Sequence, residues 1–434
     1  MNKTFIGVVV LVAVSVAIVA CGGGSKSSSS QHKVSGLKYR AFVSNPLFPA
    51  GVSNTPVINI VDATQDLLSQ STISLIGTTA SAGLMAVSPD LSKTLVFSQI
   101  GNTIAVVDNT TEAIATVTGS TAGVPAIALP GLTESMYVAK DNVTAYAAVP
   151  SAPVTGQSPG AVFAIDTGSG NILATIPVPG AHFIVPSPDG TNILVFSDGS
   201  DSITVISTAL LGSNENPVTT VNGFDRPVWA IFIDSADAYI FNCGSECGGA
   251  AAGIATFTIG DFGPSSVTPV SGATYGMISG NTLYVAGTPP HTACPSGTAA
   301  KTCGTLTTLD AGSLVATNAK PILITDGYHN RMQMGDNGQL FIGSHSCTSI
   351  NVSGGEVRGC LSIFNTAKST VVIPPQSGDT TGIQPVTGRN VVYVCEGGVF
   401  QVFDTTTDQL LVQTIRIIIV GQSTDVKLVD PPPD

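Results

Sequence analysis

Between Leu84 and Thr118 the chain reads LMAVSPDLSKTLVFSQIGNTIAVVDNTTEAIATVT, four short apolar runs broken by turn residues. The runs LMAVS, TLVFS, TIAVVD and IATVT are too short for helices and rich in β-branched residues. Between them stand Ser88-Pro89-Asp90, Gly101-Asn102 and Asp108-Asn109, which favour tight turns. The stretch therefore predicts four antiparallel strands joined in order. Such a small sheet has two apolar faces and becomes stable only when copies of it stack.

Copies are present. ESMYVA, TAYAAV, GAVFAID and NILATI follow from Glu134, and AHFIVPSPDG, NILVFS, SITVIS and PVTTV from Ala181, the latter repeating the Ser-Pro-Asp turn. Further units start at Pro227, Thr274, Arg331 and Gly382. A unit at Tyr39 has three runs and lacks an innermost strand, while TDVKLVD at the C-terminus resembles one. A spacing of about 50 residues with four strands per unit is that of β-propeller blades. The fold class read from this is all-β, a β-propeller of four-stranded antiparallel blades, eight in number, with seven the alternative. The C-terminal strand is expected to close the ring and remove two exposed sheet edges. A β-sandwich or β-helix fits the four-run period less well.

LVFSQIGNTIAVVDNTTEAIATV, ILVFSDGSDSITVIST and VVYVCEGGVFQVFDTTTDQLLVQTI carry a family resemblance: they are similar to the YVTN-type β-propeller repeat, in which a Val-Ile-Asp third strand follows a Tyr-Val-Thr-Asn second strand. The resemblance is good in the second, fourth and eighth units and faint where insertions interrupt the others. It implies a seven- or eight-bladed extracytoplasmic propeller, akin to surface-layer proteins and more distantly to lactonase-like propellers, with no fixed active site. Asp108, Asp166, Asp310 and Asp404 end third strands and are followed by Asn, Thr, Ala and Thr respectively, which marks them as turn openers rather than metal ligands.

Lys3 followed by an uncharged run from Phe5 to Ala20 reads as an export signal, being shorter than the roughly 20 residues of a spanning helix. Ile18-Val19-Ala20-Cys21 resembles the lipobox of bacterial lipoproteins, which implies lipidation of Cys21, with an ordinary signal peptide the alternative. Residues 22–30, GGGSKSSSS, can bury nothing apolar and read as a flexible tether. The expected organisation is a signal peptide at 1–20, a lipidated cysteine and tether at 21–38, and one propeller domain at 39–434. Gly22 is not the Asp that, by resemblance, marks inner-membrane retention, so the expected location is the outer membrane of a bacterial envelope.

Composition agrees. Only 10% of residues are charged, Gly and Pro number 47 and 27, and a net charge of −12 with 16 scattered Lys and Arg argues against nucleic acid. The expected partners are the membrane, through the lipid, and a protein, glycan or small-molecule ligand.

The cysteines fall in pairs between second and third strands: Cys243 with Cys247, Cys294 with Cys303, and Cys347 with Cys360. In an oxidising compartment local disulfides would brace these lengthened hairpins. A zinc set of Cys243, Cys247, His291 and Cys294 is the alternative. Cys395 lies inside an apolar run and reads as a buried free thiol.

The loops between second and third strands open on the same side as the starts of the inner strands. His182, Arg226, His329 and Arg331 stand at those starts, with Tyr328, Asn330 and Trp229 close by in sequence. They form the candidate ligand site, His182, Arg226, His329, Asn330 and Arg331, a polar cluster at the channel mouth suited to an anion, sugar or carboxylate. YVTN-type repeats carry a Pro-His-Gly-like step here, which implies blade packing as the other role of His182. No G-x-S-x-G elbow, HExxH helix or P-loop appears, and the single Trp and absence of adjacent cysteines separate the chain from quinone-cofactor propeller dehydrogenases. The expectation is a non-enzymatic envelope binding module without cofactor, metal or catalytic residues, with a lactonase-like hydrolase acting at the channel mouth as the alternative.

Overall fold

The computed structural model describes residues 34–50, 53–75, 82–98, 101–117, 126–290, 302–407 and 417–433. The export signal, Cys21, the tether up to residue 33, His291, Cys294 and the outer strand expected in the eighth unit lie outside the described residues. Among the described residues no helix is long and apolar enough to cross a membrane.

Eight antiparallel sheets follow one another along the chain and form an eight-bladed β-propeller. Blade 4 shows the pattern, with strands Ala181–Pro186, Asn192–Ser197, Ser202–Ser207 and Val218–Asn222 in that order from the axis outward. The inner strands of blades 2, 3, 5, 6, 7 and 8 are Met85–Val87, Ser135–Val138, Pro227–Phe232, Tyr275–Ser279, Tyr328–Met334 and Thr380–Val386. Each touches the next around the axis.

Blade 1 takes its inner strand from the other end of the chain: Asp425–Leu428 pairs antiparallel with Arg40–Ala50, Ala41 facing Leu428 and Ser44 facing Asp425. Asp425–Leu428 also touches the inner strands of blades 8 and 2, which closes the ring. A side-chain cluster reinforces the join. Arg40 donates from Nε and Nη2 to Asp430 (2.8 and 2.7 Å) and from Nη1 to Glu112 of blade 2 (2.8 Å) and to the Asn109 carbonyl (2.7 Å). The Arg40 and Glu112 side chains are 9% and 0% exposed. Ser35 donates from its backbone and hydroxyl to the Glu112 carboxylate, so chain before the first strand is also tied to blade 2.

Second and third strands are buried on both faces, as in KTLVFS and SITVIS, because each sheet is packed between two others. This explains why their runs are continuously apolar rather than alternating. The hydrophobic core is accordingly divided among the interfaces between neighbouring blades. Leu95, Phe97 and Ala147 lie between blades 2 and 3, and Tyr393, Val426 and Ala41 between blades 8 and 1.

The repeated turns have a repeated cause. In Ser88-Pro89-Asp90 the Ser88 hydroxyl donates to Asp90 (2.6 Å) and accepts from the Lys93 N–H (2.9 Å). Ser187 does the same with Asp189 (2.6 Å) and Asn192 (3.0 Å). Asp108 accepts from the N–H groups of Thr110 and Thr111, Asp166 from Gly168 and Ser169, Asp310 from Gly312 and Ser313, and Asp404 from Thr406. These carboxylates hold turns.

Two hairpins carry disulfides. Cys243–Cys247 spans a 3-10 turn between the second and third strands of blade 5, and Cys347–Cys360 closes the insertion of blade 7, which holds a two-stranded hairpin of its own. Cys303 is buried at the start of the third strand of blade 6. Cys395 is a buried free thiol.

Candidate functional site

Four inner strands carry an irregularity at their entrance. In blade 4 Ala181 faces Ser197 and Phe183 faces Phe196, leaving His182 as the extra residue. The same shift isolates Val228 in blade 5, Asn330 in blade 7 and Thr381 in blade 8. A regular strand sends successive side chains to opposite faces, whereas an extra residue re-aims its neighbours. The consequence here is that His182 with Phe183, Val228 with Trp229, and Asn330 with Arg331 all line the channel.

They border two adjoining cavities. The outer, about 340 Å³, lies among Glu134, His182, Asp198, Arg226, Tyr328 and His345, with Cys247 of the disulfide loop in its wall. The inner, about 280 Å³, lies deeper among Leu84, Tyr137, Trp229, Tyr275, Asn330 and Arg331. Glu134, Phe183, Val228 and Tyr328 border both.

His182 is held between two carboxylates, Nδ1 2.6 Å from Asp198 and Nε2 3.1 Å from Glu134. Burial works against its charge, but the hydrogen bonds to Asp198 and Glu134 prevail and push its pKa up to about 9. At neutral pH it is an imidazolium donating from both nitrogens. The contact with His182 in turn lowers the pKa of Glu134.

Arg226 stands in the left-handed backbone region, φ 52°. Its strain is balanced by the disulfide loop of blade 5: Cys243 N–H donates to the Arg226 carbonyl (2.9 Å), and Asp225 accepts from Ala250 and Ala251. The Arg226 guanidinium lies 3.6 Å from Asp201, a loose ion pair. In the same loop Glu246 accepts from the Thr288 N–H (2.7 Å), and burial pushes its pKa up to about 8.

Arg331 is different. Among the described residues its guanidinium has no ion pair or hydrogen bond, and its Nε is buried without a hydrogen-bond partner, as are Nε of Arg226 and Oδ1 of Asn330. Beside it, Trp229 stacks on Tyr275 with ring centres 4.6 Å apart. Burial pushes the Tyr275 hydroxyl up to about 12 even with Arg331 nearby to lower it.

Four of the five residues singled out from sequence, His182, Arg226, Asn330 and Arg331, thus border the cavities. His329 is placed elsewhere: its ring is fully buried, and Nε2 donates to the Thr325 carbonyl at 3.1 Å. Burial pushes its pKa down to about 4, so the ring is neutral and packed against Gly304 of blade 6. Sequence reasoning missed Glu134, Asp198, Phe183 and His345. A signal for them existed in the repeat. Glu134 and Phe183 stand at inner-strand starts, and second-strand ends lie beside those starts, as Tyr328 faces His345, so Asp198 and His345 belong to the same rim. Among the described residues no group of three or more His, Cys, Asp or Glu is placed to hold a metal ion. The sulfurs of Cys243 and Cys247 are bonded to each other rather than held for zinc.

No protein-family model matches the chain, and no curated protein matches it in sequence. Its likeness is to solved structures. The dihydro-heme d1 dehydrogenase NirN is 12% identical, with 91% of this chain and 75% of that one covered and a TM-score of 0.60. The Dos1 propeller is 12% identical, with 80% and 88% covered and a TM-score of 0.55. The periplasmic gluconolactonase PpgL of Pseudomonas aeruginosa is 13% identical, with 91% and 99% covered and a TM-score of 0.50. At such identities the likeness is one of fold, and it agrees with the β-propeller seen here.

Proposed function

We propose that this is a lipid-anchored protein of the bacterial cell envelope whose propeller, of the YVTN type, serves as a binding module with its ligand seated at the channel mouth. The observation that carries the reading is the pair of adjoining cavities, walled by side chains that four-stranded blades bring together from opposite sides of the axis. The lipid anchor rests on Ile18-Val19-Ala20-Cys21 and on the Gly/Ser stretch after it. An acylated cysteine followed by such a tether holds a folded domain near the membrane without a spanning helix.

A second reading, a lactonase-like hydrolase, has one observation in its favour: an imidazole 2.6 Å from a carboxylate, the pairing that orients a general base. The likeness to a gluconolactonase belongs with it. Binding is the better fit because His182 is already protonated at neutral pH and engaged at both nitrogens, so it has no lone pair with which to take a proton from water.

The chain has one tryptophan, Trp229, in the cavity wall, so its fluorescence reports occupancy. Screening purified protein against sugars, organic acids and lactones should give saturable fluorescence changes without turnover. Lactone hydrolysis that disappears in His182→Gln would replace the binding reading with the hydrolase. For the anchor, incorporation of a labelled fatty acid that is lost in Cys21→Ser is expected, and equal labelling of the variant refutes it.

A further inference from the structure

Charge in the channel is distributed unevenly. His182 is matched by Glu134 and Asp198, and Arg226 by Asp201. Arg331, deeper in, has no counter-charge among the described residues, and its Nε is buried without an acceptor. Such a group is costly in a folded protein unless something compensates it. The extra residue in the blade 7 strand points Arg331 and its neighbour Asn330 into the same cavity, and Asn330 Oδ1 is likewise buried without a donor. Two adjacent positions thus offer an unmatched cation beside an unmatched acceptor.

The surrounding wall restricts what fits. Trp229 stacked on Tyr275, with Leu84, Met136 and Ile184, presents apolar and aromatic surface, suited to a ring rather than to a fully hydrated ion. Glu134 borders the same cavity and disfavours a second negative charge. We propose that the inner cavity binds a small monocarboxylic acid with a ring body, its carboxylate on the Arg331 guanidinium, a ring hydroxyl on Asn330 Oδ1 and the ring against Trp229. This rests on the binding reading and narrows it: a planar carboxylate matches a guanidinium fork, and a single negative charge tolerates Glu134 where a phosphate dianion would not.

The test uses Trp229 fluorescence with the purified chain. The probes are 4-hydroxybenzoate and glucuronate, which separate an aromatic from a sugar body, the neutral 4-hydroxybenzamide, and inorganic phosphate. Saturable binding of either acid is expected, at least about tenfold tighter than the amide or phosphate, with a loss of at least about tenfold in Arg331→Gln and partial recovery in Arg331→Lys. Binding of the amide as tight as that of the acid, or an Arg331→Gln variant that binds the acid normally, overturns the proposal and leaves the binding module standing. Absence of a fluorescence change with all four probes overturns it too, and the wider screen of sugars, acids and lactones then decides the binding reading separately. Thermal unfolding supplies a control independent of ligand. Arg331→Gln should melt at or above the parent temperature, since no partner is lost, and a large drop would show that Arg331 serves the fold instead.

Discussion

The seam that closes the ring and the mouth of the channel both gather charged side chains, and they treat them in opposite ways. At the seam Arg40 is buried with Glu112 and Asp430 and meets an acceptor at Nε, Nη1 and Nη2. Asp66 likewise joins blade 1 to blade 8, accepting from Arg389 and from Tyr393 at 2.8 and 2.6 Å. In the channel, Glu134 and Asp198 hold His182 while 60% and 64% exposed, and Arg331, deeper in, has no partner among the described residues. Matched, buried charge fixes the joining of chain ends. Unmatched charge in a cavity leaves an interaction for a ligand to complete.

The largest effect that would break this contrast is at the seam. Arg40→Ala leaves Glu112 buried without its cation and should cost about 3–5 kcal/mol. Urea unfolding checks it, and a loss below 1 kcal/mol would put the seam on a par with surface ion pairs. The bracing of the mouth comes next. Replacing Cys347 and Cys360 together by Ser should cost about 2–3 kcal/mol through loop closure in the unfolded chain, and unfolding under non-reducing conditions reads it directly.

The smallest effect concerns pH. The folded-state pKa of His182, about 9, lies above its ordinary value of 6.5, so its contribution is complete below pH 6.5 and lost as pH rises through 9. Because its carboxylate partners are more than half exposed, the amount is about 1 kcal/mol after screening. Urea midpoints measured at pH 6 and pH 9.5 should converge in His182→Gln relative to the parent. An unchanged pH slope in the variant would show that His182 is not held as an imidazolium.

Much of the architecture was legible in the chain because a blade is a local object. Four runs joined in sequence by Ser-Pro-Asp and Asp-Asn turns specify their own sheet, and TDVKLVD announces the missing strand of the first unit. The hairpin disulfides were legible for the same reason: Cys243 and Cys347 each find a partner across one loop. The candidate site was legible only in part. His182, Asn330 and Arg331 were visible as polar residues at strand entrances, yet His329, next to Asn330 in the same strand, is fully buried on the Thr325 carbonyl. A one-residue shift in pairing decides which neighbour faces the channel, and hydrophobic pattern does not encode it.

By itself the sequence determined the repeating unit, the way the ring closes and the side of the propeller on which polar residues collect, since these follow from short-range pattern and strand order. Only the tertiary structure decided which charges are matched. Glu134 and His182 meet across two neighbouring blades, and Arg40 and Asp430 meet within blade 1 from opposite ends of the chain, and pairing energy depends on distances and burial that no local pattern fixes.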